Sequence, residues 1–156
     1  MKYVFDSDSL INLFRHYYSE RFPTLWERFH ALVSAEELIS VREVFNEIGS
    51  SEDSLAIWAK EQKKALFTEP TIEEFKFVGE IFKVPHFQAM IRKQERLKGK
   101  PVADPFVIAR ARLSGACVIT QEKNVENAAK IPNVCEHFEI PCINLEGFME
   151  KENWIF

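Results

Sequence analysis

Lys2-Tyr3-Val4-Phe5-Asp6-Ser7-Asp8-Ser9-Leu10-Ile11 opens on a β-rich apolar run that stops at an acid. Beyond it Leu10, Ile11, Leu13 and Phe14 take up helical spacing, so the stretch predicts a strand, a polar turn over Asp6–Ser9 and a helix. The alternation recurs along the chain. Leu38-Ile39-Ser40-Val41 leads into Val44, Phe45 and Ile48 at helical spacing, which Gly49 can end. Ala116-Cys117-Val118-Ile119 runs into Thr120, and Pro141-Cys142-Ile143 is a last short apolar run.

Helical patterns fill the intervals. Phe22, Leu25, Trp26, Phe29, Leu32 and Val33 form one amphipathic face, with Pro23 tolerated in the first turn. Residues 52–66 and 71–82 read as two more helices, the second opened by Thr71 with Glu74 at capping-box spacing. Asp104-Pro105 reads as an N-cap and a first helical residue before Val107, Ile108 and Ala111. Short apolar runs separated by helices are what a parallel sheet covered on both faces requires. The expectation is α/β: a three-layer αβα sandwich around a central, mainly parallel sheet of four or five strands, as one domain over residues 1–156.

Composition narrows the function classes. With 46% apolar and 28% charged residues, the chain is neither disordered nor fibrous. A net charge of −4 argues against broad, sequence-independent coating of nucleic acid, yet leaves room for a local basic strip. Such a strip lies between Lys83 and Lys100, where Lys83, Arg92, Lys93, Arg96, Lys98 and Lys100 face only Glu95; these are candidates to contact RNA phosphates. No apolar run reaches the length of a membrane span, and Asp6 interrupts the first run before a signal-peptide core, so a cytoplasmic protein is expected. Cys117, Cys135 and Cys142 lack any CxxC pairing and read as reduced, mostly buried thiols. Neither GxGxxG nor GxxxxGK[ST] occurs, which removes nucleotide-dependent motors and dehydrogenases. Fourteen Phe and the terminal Trp154-Ile155-Phe156 supply a core and a surplus that can feed an interface.

In an open parallel sheet, sites form outside the carboxyl ends of the strands. Asp6 follows the first strand, Glu47 lies on the helix after the second, Asp104 opens a helix leading into a third, and Glu122 follows that strand. Four grouped carboxylates would repel one another or protonate, whereas a hard divalent cation prefers all-oxygen donors and cancels the charge, which points to Mg²⁺ or Mn²⁺. Three of these acids also have a plain structural reading: Asp6 as a strand-end turn residue, Asp104 as a helix N-cap, Glu122 as part of a polar loop. Glu43 forms an i, i+4 like-charge pair with Glu47 that a nearby cation would make sense of, while a solvated helix face suffices to explain Glu43.

The stretch Tyr3–Ile11 resembles the opening strand and Asp-Ser/Thr motif of PIN-domain nucleases, including VapC-type toxins. The resemblance continues through Leu38-Ile39-Ser40 to Val44–Ile48, through Ala103–Ala109, and through Val118–Glu122, in the family's order and across almost the whole chain. It implies a PIN-like fold and Mg²⁺- or Mn²⁺-dependent RNA cleavage. It also implies Asp6, Glu47, Asp104 and Glu122 as metal-binding and catalytic acids, with Ser7 and Thr120 as supporting hydroxyls. An antitoxin protein filling the acidic groove and a homodimer are further implications. The departures are Asp8 where a small polar residue is usual, Glu122 in place of the commoner Asp, and the long interval 52–100 between the second and third acids.

Two other readings stand beside this one. Phe5-Asp6-Ser7-Asp8 is similar to the DxD motif of haloacid-dehalogenase-type phosphatases, with Asp6 as nucleophile, Asp8 as general acid, and Thr120 and Lys130 in later roles. That motif lacks its usual Gly and gives Glu47 and Asp104 nothing to do. The third reading is a catalytically inactive PIN-like binding module, in which the acids are caps and turn residues.

Overall fold

A computed structural model describes residues 1–50, 53–90 and 102–156. At its centre is β1 (Tyr3–Phe5), whose three side chains are all buried, as expected of a parallel strand covered on both faces. It pairs in parallel with β2 (Leu38–Val41), with Tyr3 opposite Leu38. Beyond β2 lies β3 (Phe67–Thr68), registered through Ser40 and Phe67. On its other side β1 pairs with β4 (Cys117–Ile119), which pairs with β5 (Cys142–Ile143). The sheet is five-stranded and all parallel in the order β3-β2-β1-β4-β5.

The helices are α1 (Ser7–His16), α2 (Pro23–Ser34), α3 (Arg42–Ile48), α4 (Ser54–Gln62), α5 (Ile72–Phe82), α6 (Asp104–Ser114), α7 (Ile131–His137) and α8 (Leu145–Lys151). A 3-10 turn over Pro85–Gln88 follows α5. Side-chain alternation on β1 assigns the layers. Tyr3 and Phe5, two residues apart, share one face and meet Phe148 of α8 edge-on, while Phe5 also meets Phe29 of α2. Val4 takes the opposite face, and α6 packs on β1, β2 and β4 with α5 and α7 against it. The phenylalanine surplus is thus mostly core. At the C-terminus Trp154 packs on Phe148, whereas Ile155 is 80% exposed.

Several boundaries differ from the sequence expectation. The polar turn over Asp6–Ser9 is absent, because Asp6 caps α1 directly and the helix begins at Ser7. The Thr71–Glu74 capping box is present as read, both of its hydrogen bonds being made. The helix expected over 52–66 runs only from Ser54 to Gln62 among the described residues, and its end is followed by the two residues of β3. Helices α7 and α8 lie beyond the helices expected from the sequence, although Ile131, Val134 and Cys135, and Leu145 and Phe148, fall at helical spacing on their buried faces. Gly49 does end α3, though with φ −83 its role is steric: a Cβ there would lie 2.8 Å from the Phe45 carbonyl oxygen. Gly115 closes α6 at φ 64, the left-handed conformation that glycine adopts without strain.

One buried ion pair fixes α6 to the sheet. Arg110 donates through Nε and Nη2 to both carboxylate oxygens of Glu74 (2.5 and 2.9 Å). Its Nη1 reaches the Ser40 carbonyl and the Thr68 hydroxyl, and Nη2 also reaches the Glu69 carbonyl. The guanidinium thereby clasps β2, β3 and the start of α5 from α6, with all its donor directions used.

Candidate active site

The strand order sets the place. From β1 the sheet grows outward through β2 to β3 on one side and through β4 to β5 on the other, so its topological switch point lies between β1 and β4. Crevices outside the carboxyl ends of strands at such a point are where open α/β sheets bind ligands. Asp6 and Thr120 are the residues that leave β1 and β4 there.

Asp6 is 2% exposed. Its N–H donates to the Ile119 carbonyl, its Oδ1 accepts the Ser9 N–H (2.8 Å), and its Oδ2 accepts the Thr120 hydroxyl (2.5 Å). Burial pushes the Asp6 carboxyl up to about 6, against the pull of the Thr120 hydroxyl and the Ser9 donors, which favour the ionised form. Its hydrogen bonds therefore do not fully offset the cost of burying its charge.

Glu47 comes from the neighbouring strand. The chain turns from β2 into α3 without a loop, and one turn and a half later Glu47 Oε1 accepts the Ser7 hydroxyl at 2.7 Å. The side chain stays solvent-exposed at the rim. Ser7 and Thr120 thus each hold one of the acids.

Glu43 corrects the sequence reading. It is 1% exposed rather than solvated; Arg42 bonds its Oε2 at 2.8 Å, and its Oε1 is buried with no hydrogen-bond partner among the described residues. The signal for it was present in the i, i+4 spacing to Glu47, just after the largely buried strand β2. The Arg42 guanidinium supplies the counter-charge of this carboxylate.

Asp104 is the first residue of α6, not its N-cap; Ala103 holds the cap position and no side-chain cap bond is made, with Pro105 following in the first turn. The physical reason is that Ala103 already lies in helical backbone geometry. Since α6 leads into the parallel strand β4, it runs back along the sheet, and its N-terminus, with Asp104, lies at the carboxyl edge. Glu122 stands two residues past Thr120 and donates its N–H to the Thr120 hydroxyl, while its Oε2 accepts the Ile131 N–H at the start of α7. Its backbone joins the Thr120–Asp6 relay, and one carboxylate oxygen is committed to a helix end.

Asp6, Glu47 and Glu122 are therefore linked through Ser7 and Thr120, and chain direction puts Asp104 at the same edge. Among the described residues no group of three or more His, Cys, Asp or Glu is gathered closely enough to form a metal site. The donor type nevertheless suits a hard cation: the candidate donors are carboxylate oxygens, and the burial of Asp6 is not fully offset by its hydrogen bonds.

A cleft of about 710 Å³ has Asn12 of α1, Gln121 after β4, Asn144 after β5 and Trp154 in its walls, and none of the four acids lines it. Of the basic strip, only Lys83 lies within the described residues; it is exposed and pairs with Glu80 at 2.7 Å, and Arg92, Lys93, Arg96, Lys98 and Lys100 lie outside them. The Asp8 side of the phosphatase motif is exposed on α1, and Lys130 opens α7 with its N–H on Asn133. Cys117, Cys135 and Cys142 are free thiols, the first two buried; the Cys135 thiol donates to Cys142, which holds Cys142 down and Cys135 up. None of the described helices is long and apolar enough to cross a membrane.

Residues 3–156 match the model of a family described as a domain of unknown function, DUF4411. No curated protein matches the chain.

Proposed function

The chain belongs to the DUF4411 family, and we propose that it acts as a metal-dependent ribonuclease, hydrolysing the phosphodiester backbone of RNA with a water activated at the carboxyl edge of the sheet. The observation that supports this most is the linkage of residues from three adjacent strand ends, the acid Glu47 held by Ser7 and the acid Asp6 held by Thr120, at the switch point of the sheet. Asp6, Glu47, Asp104 and Glu122 would hold Mg²⁺ or Mn²⁺. When bound, such an ion supplies Lewis-acid stabilisation of charge at phosphorus and an acidified water.

The rest of the work falls to this chain's own side chains. The Thr120 hydroxyl fixes the rotamer of Asp6 and favours its ionised form, the form that binds a cation. Ser7 does the same for the direction of Glu47, which is otherwise a flexible side chain at the rim. The Asp6–Ile119 backbone bond closes the seam between β1 and β4, keeping the acid's backbone fixed to the rigid centre of the sheet. The basic strip, Lys83 to Lys100, would contact RNA phosphates and leave the chemistry to the acids. The reading extends to a cytoplasmic location and to an antitoxin and a second copy of the chain as protein partners. The phosphatase reading gives Glu47 and its Ser7 tether no role.

The experiment is cleavage of a labelled pool of structured RNA with Mn²⁺, Mg²⁺ or EDTA, comparing the wild type with Asp104→Asn. The isosteric change removes the charge of Asp104 and keeps the shape of its side chain at the start of α6. The expected outcome is cleavage that needs the metal and falls at least about tenfold to hundredfold in the variant, the range seen even for groups one step removed from a metal. Absence of cleavage with either metal, or activity equal in the variant, would overturn the proposal.

A further inference from the structure

Two of the three free thiols meet at one edge of the sheet, and the proposed cleavage uses neither. β5 is the edge strand beyond β4, and α7 packs on it. Parallel register sets the faces. Cys142 stands opposite Val118, which stands opposite Val4, so its side chain shares the face of the sheet that α6 and α7 cover. Cys135 lies on the buried side of α7, and its S–H donates to the Cys142 sulfur. The Ile140 N–H closes the turn between them on the Cys135 carbonyl at 2.8 Å. Cys117 neighbours Val118 on β4 and takes the opposite face, so the sheet separates it from the pair.

Exposure divides the two thiols. Cys142 is partly open to solvent, whereas Cys135 is fully buried. The Cys135 donor favours the Cys142 thiolate, the attacking form of a thiol, against burial and the nearby charges of Asp6 and Glu122. Cys117 has no such donor, and burial pushes its thiol up to about 11. An accessible attacking thiol with a buried second thiol in contact is what thiol–disulfide exchange requires. Both cysteines also reach the candidate site at one remove. Ile143, next to Cys142, accepts the Thr120 N–H at 3.0 Å, and α7 begins with the Ile131 N–H on Glu122.

We propose that Cys135 and Cys142 form a reversible disulfide by exchange with small disulfides of the glutathione type, and that its formation shifts the end of β4 and the start of α7, which carry Thr120 and hold Glu122. The Cys142 thiolate attacks one sulfur of oxidised glutathione; a mixed disulfide forms, and one glutathione thiolate leaves and takes up a proton. Cys142 then carries no charge for Cys135 to donate to, so the Cys135 proton is released more readily to solvent. The Cys135 sulfur attacks the Cys142 sulfur, and the second glutathione thiolate leaves and is protonated in turn. The protein gives up two electrons and two protons, and oxidised glutathione gains them as two glutathione thiols. The new bond holds the sulfurs about 2.05 Å apart, well inside non-bonded contact, so α7 is drawn toward β5. The pairing stands independently of the ribonuclease reading, and its readout requires no cleavage.

The test adds excess oxidised glutathione to the reduced protein, blocks the remaining thiols with N-ethylmaleimide, and maps the cysteine peptides by mass. The wild type is expected to lose two hydrogens in a Cys135–Cys142 link, with Cys117 carrying maleimide. Cys135→Ser should stop at a glutathione adduct on Cys142, and in Cys142→Ser the remaining Cys135 should react at least about tenfold more slowly than Cys142 does. In the wild type the amide resonances of Thr120 and Ile131 should move on oxidation and return with dithiothreitol. A glutathione adduct that persists on wild-type Cys142, a link through Cys117, or no oxidation at all would each overturn the inference. A Cys135–Cys142 link that leaves the Thr120 and Ile131 resonances in place would overturn its coupling to the site.

Discussion

Replacing Asp6 by Asn should stabilise the protein at neutral pH, by an amount that grows between about pH 4 and 6 and levels off above that. In the fold the carboxyl is pushed from 3.8 to about 6, chiefly by burial. Each unit corresponds to about 1.36 kcal/mol, so the ionised side chain costs the folded state roughly 3 kcal/mol relative to its protonated form. The sign follows from proton counting. Between about pH 4 and 6 the folded state keeps a proton that the unfolded chain has lost, so stability from this group is complete below pH 4 and is lost as pH rises through 6. Asn keeps an acceptor for the Ser9 N–H and turns an amide toward Thr120, whose hydroxyl can accept as well as donate. Urea unfolding of both proteins from pH 4 to 8 is the assay. The difference in unfolding free energy, variant minus wild type, should grow by about 2–3 kcal/mol over that range. The titrations of the other carboxyls largely cancel in that difference. Saturating Mn²⁺ at pH 7.5 should restore the loss in the wild type and leave the variant unmoved. A difference flat across pH would refute the claim that burial leaves Asp6 undercompensated.

Other perturbations probe the frame around the site. Arg110→Met strands Glu74 as a buried, unpaired carboxylate and should cost about 3–5 kcal/mol in urea unfolding; adding Glu74→Gln should recover part of it. Glu122→Gln keeps an acceptor for the Ile131 N–H, so stability should change by less than about 1 kcal/mol while RNA cleavage falls; Glu122→Ala should lose about 1–2 kcal/mol besides. Gly49→Ala puts a Cβ 2.8 Å from the Phe45 carbonyl and 2.9 Å from its ring, and should lower the thermal midpoint by the equivalent of about 1–3 kcal/mol.

How far residues announce their places depends on how local the controlling physics is. Tyr3-Val4-Phe5-Asp6 was legible because a central parallel strand must be apolar on both faces and a buried acid at its end is conspicuous. Thr71 and Glu74 were legible because a capping box lies within four residues. Phe67–Thr68 was not, since two residues paired to an edge carry no pattern of their own. Arg110 went unread for a related reason: its partners Glu74, Ser40, Thr68 and Glu69 are distant in sequence, although a lone Arg among Val107, Ile108 and Ala111 on a buried face was a usable clue. The four acids were legible as positions at strand ends. The tethers from Ser7 and Thr120, the orphan oxygen of Glu43 and the engagement of Glu122 with α7 are properties of packing, and only the folded chain displays them.

The most direct test of the ribonuclease account is a single-turnover cleavage of single-stranded RNA in oxygen-18 water with Mn²⁺, followed by mass analysis of the new phosphate terminus. Hydrolysis by an activated water gives a terminal phosphate carrying one solvent oxygen, formed by the wild type and lost in Glu47→Gln. A cyclic phosphate with no solvent oxygen, or no metal-dependent product at all, would contradict it.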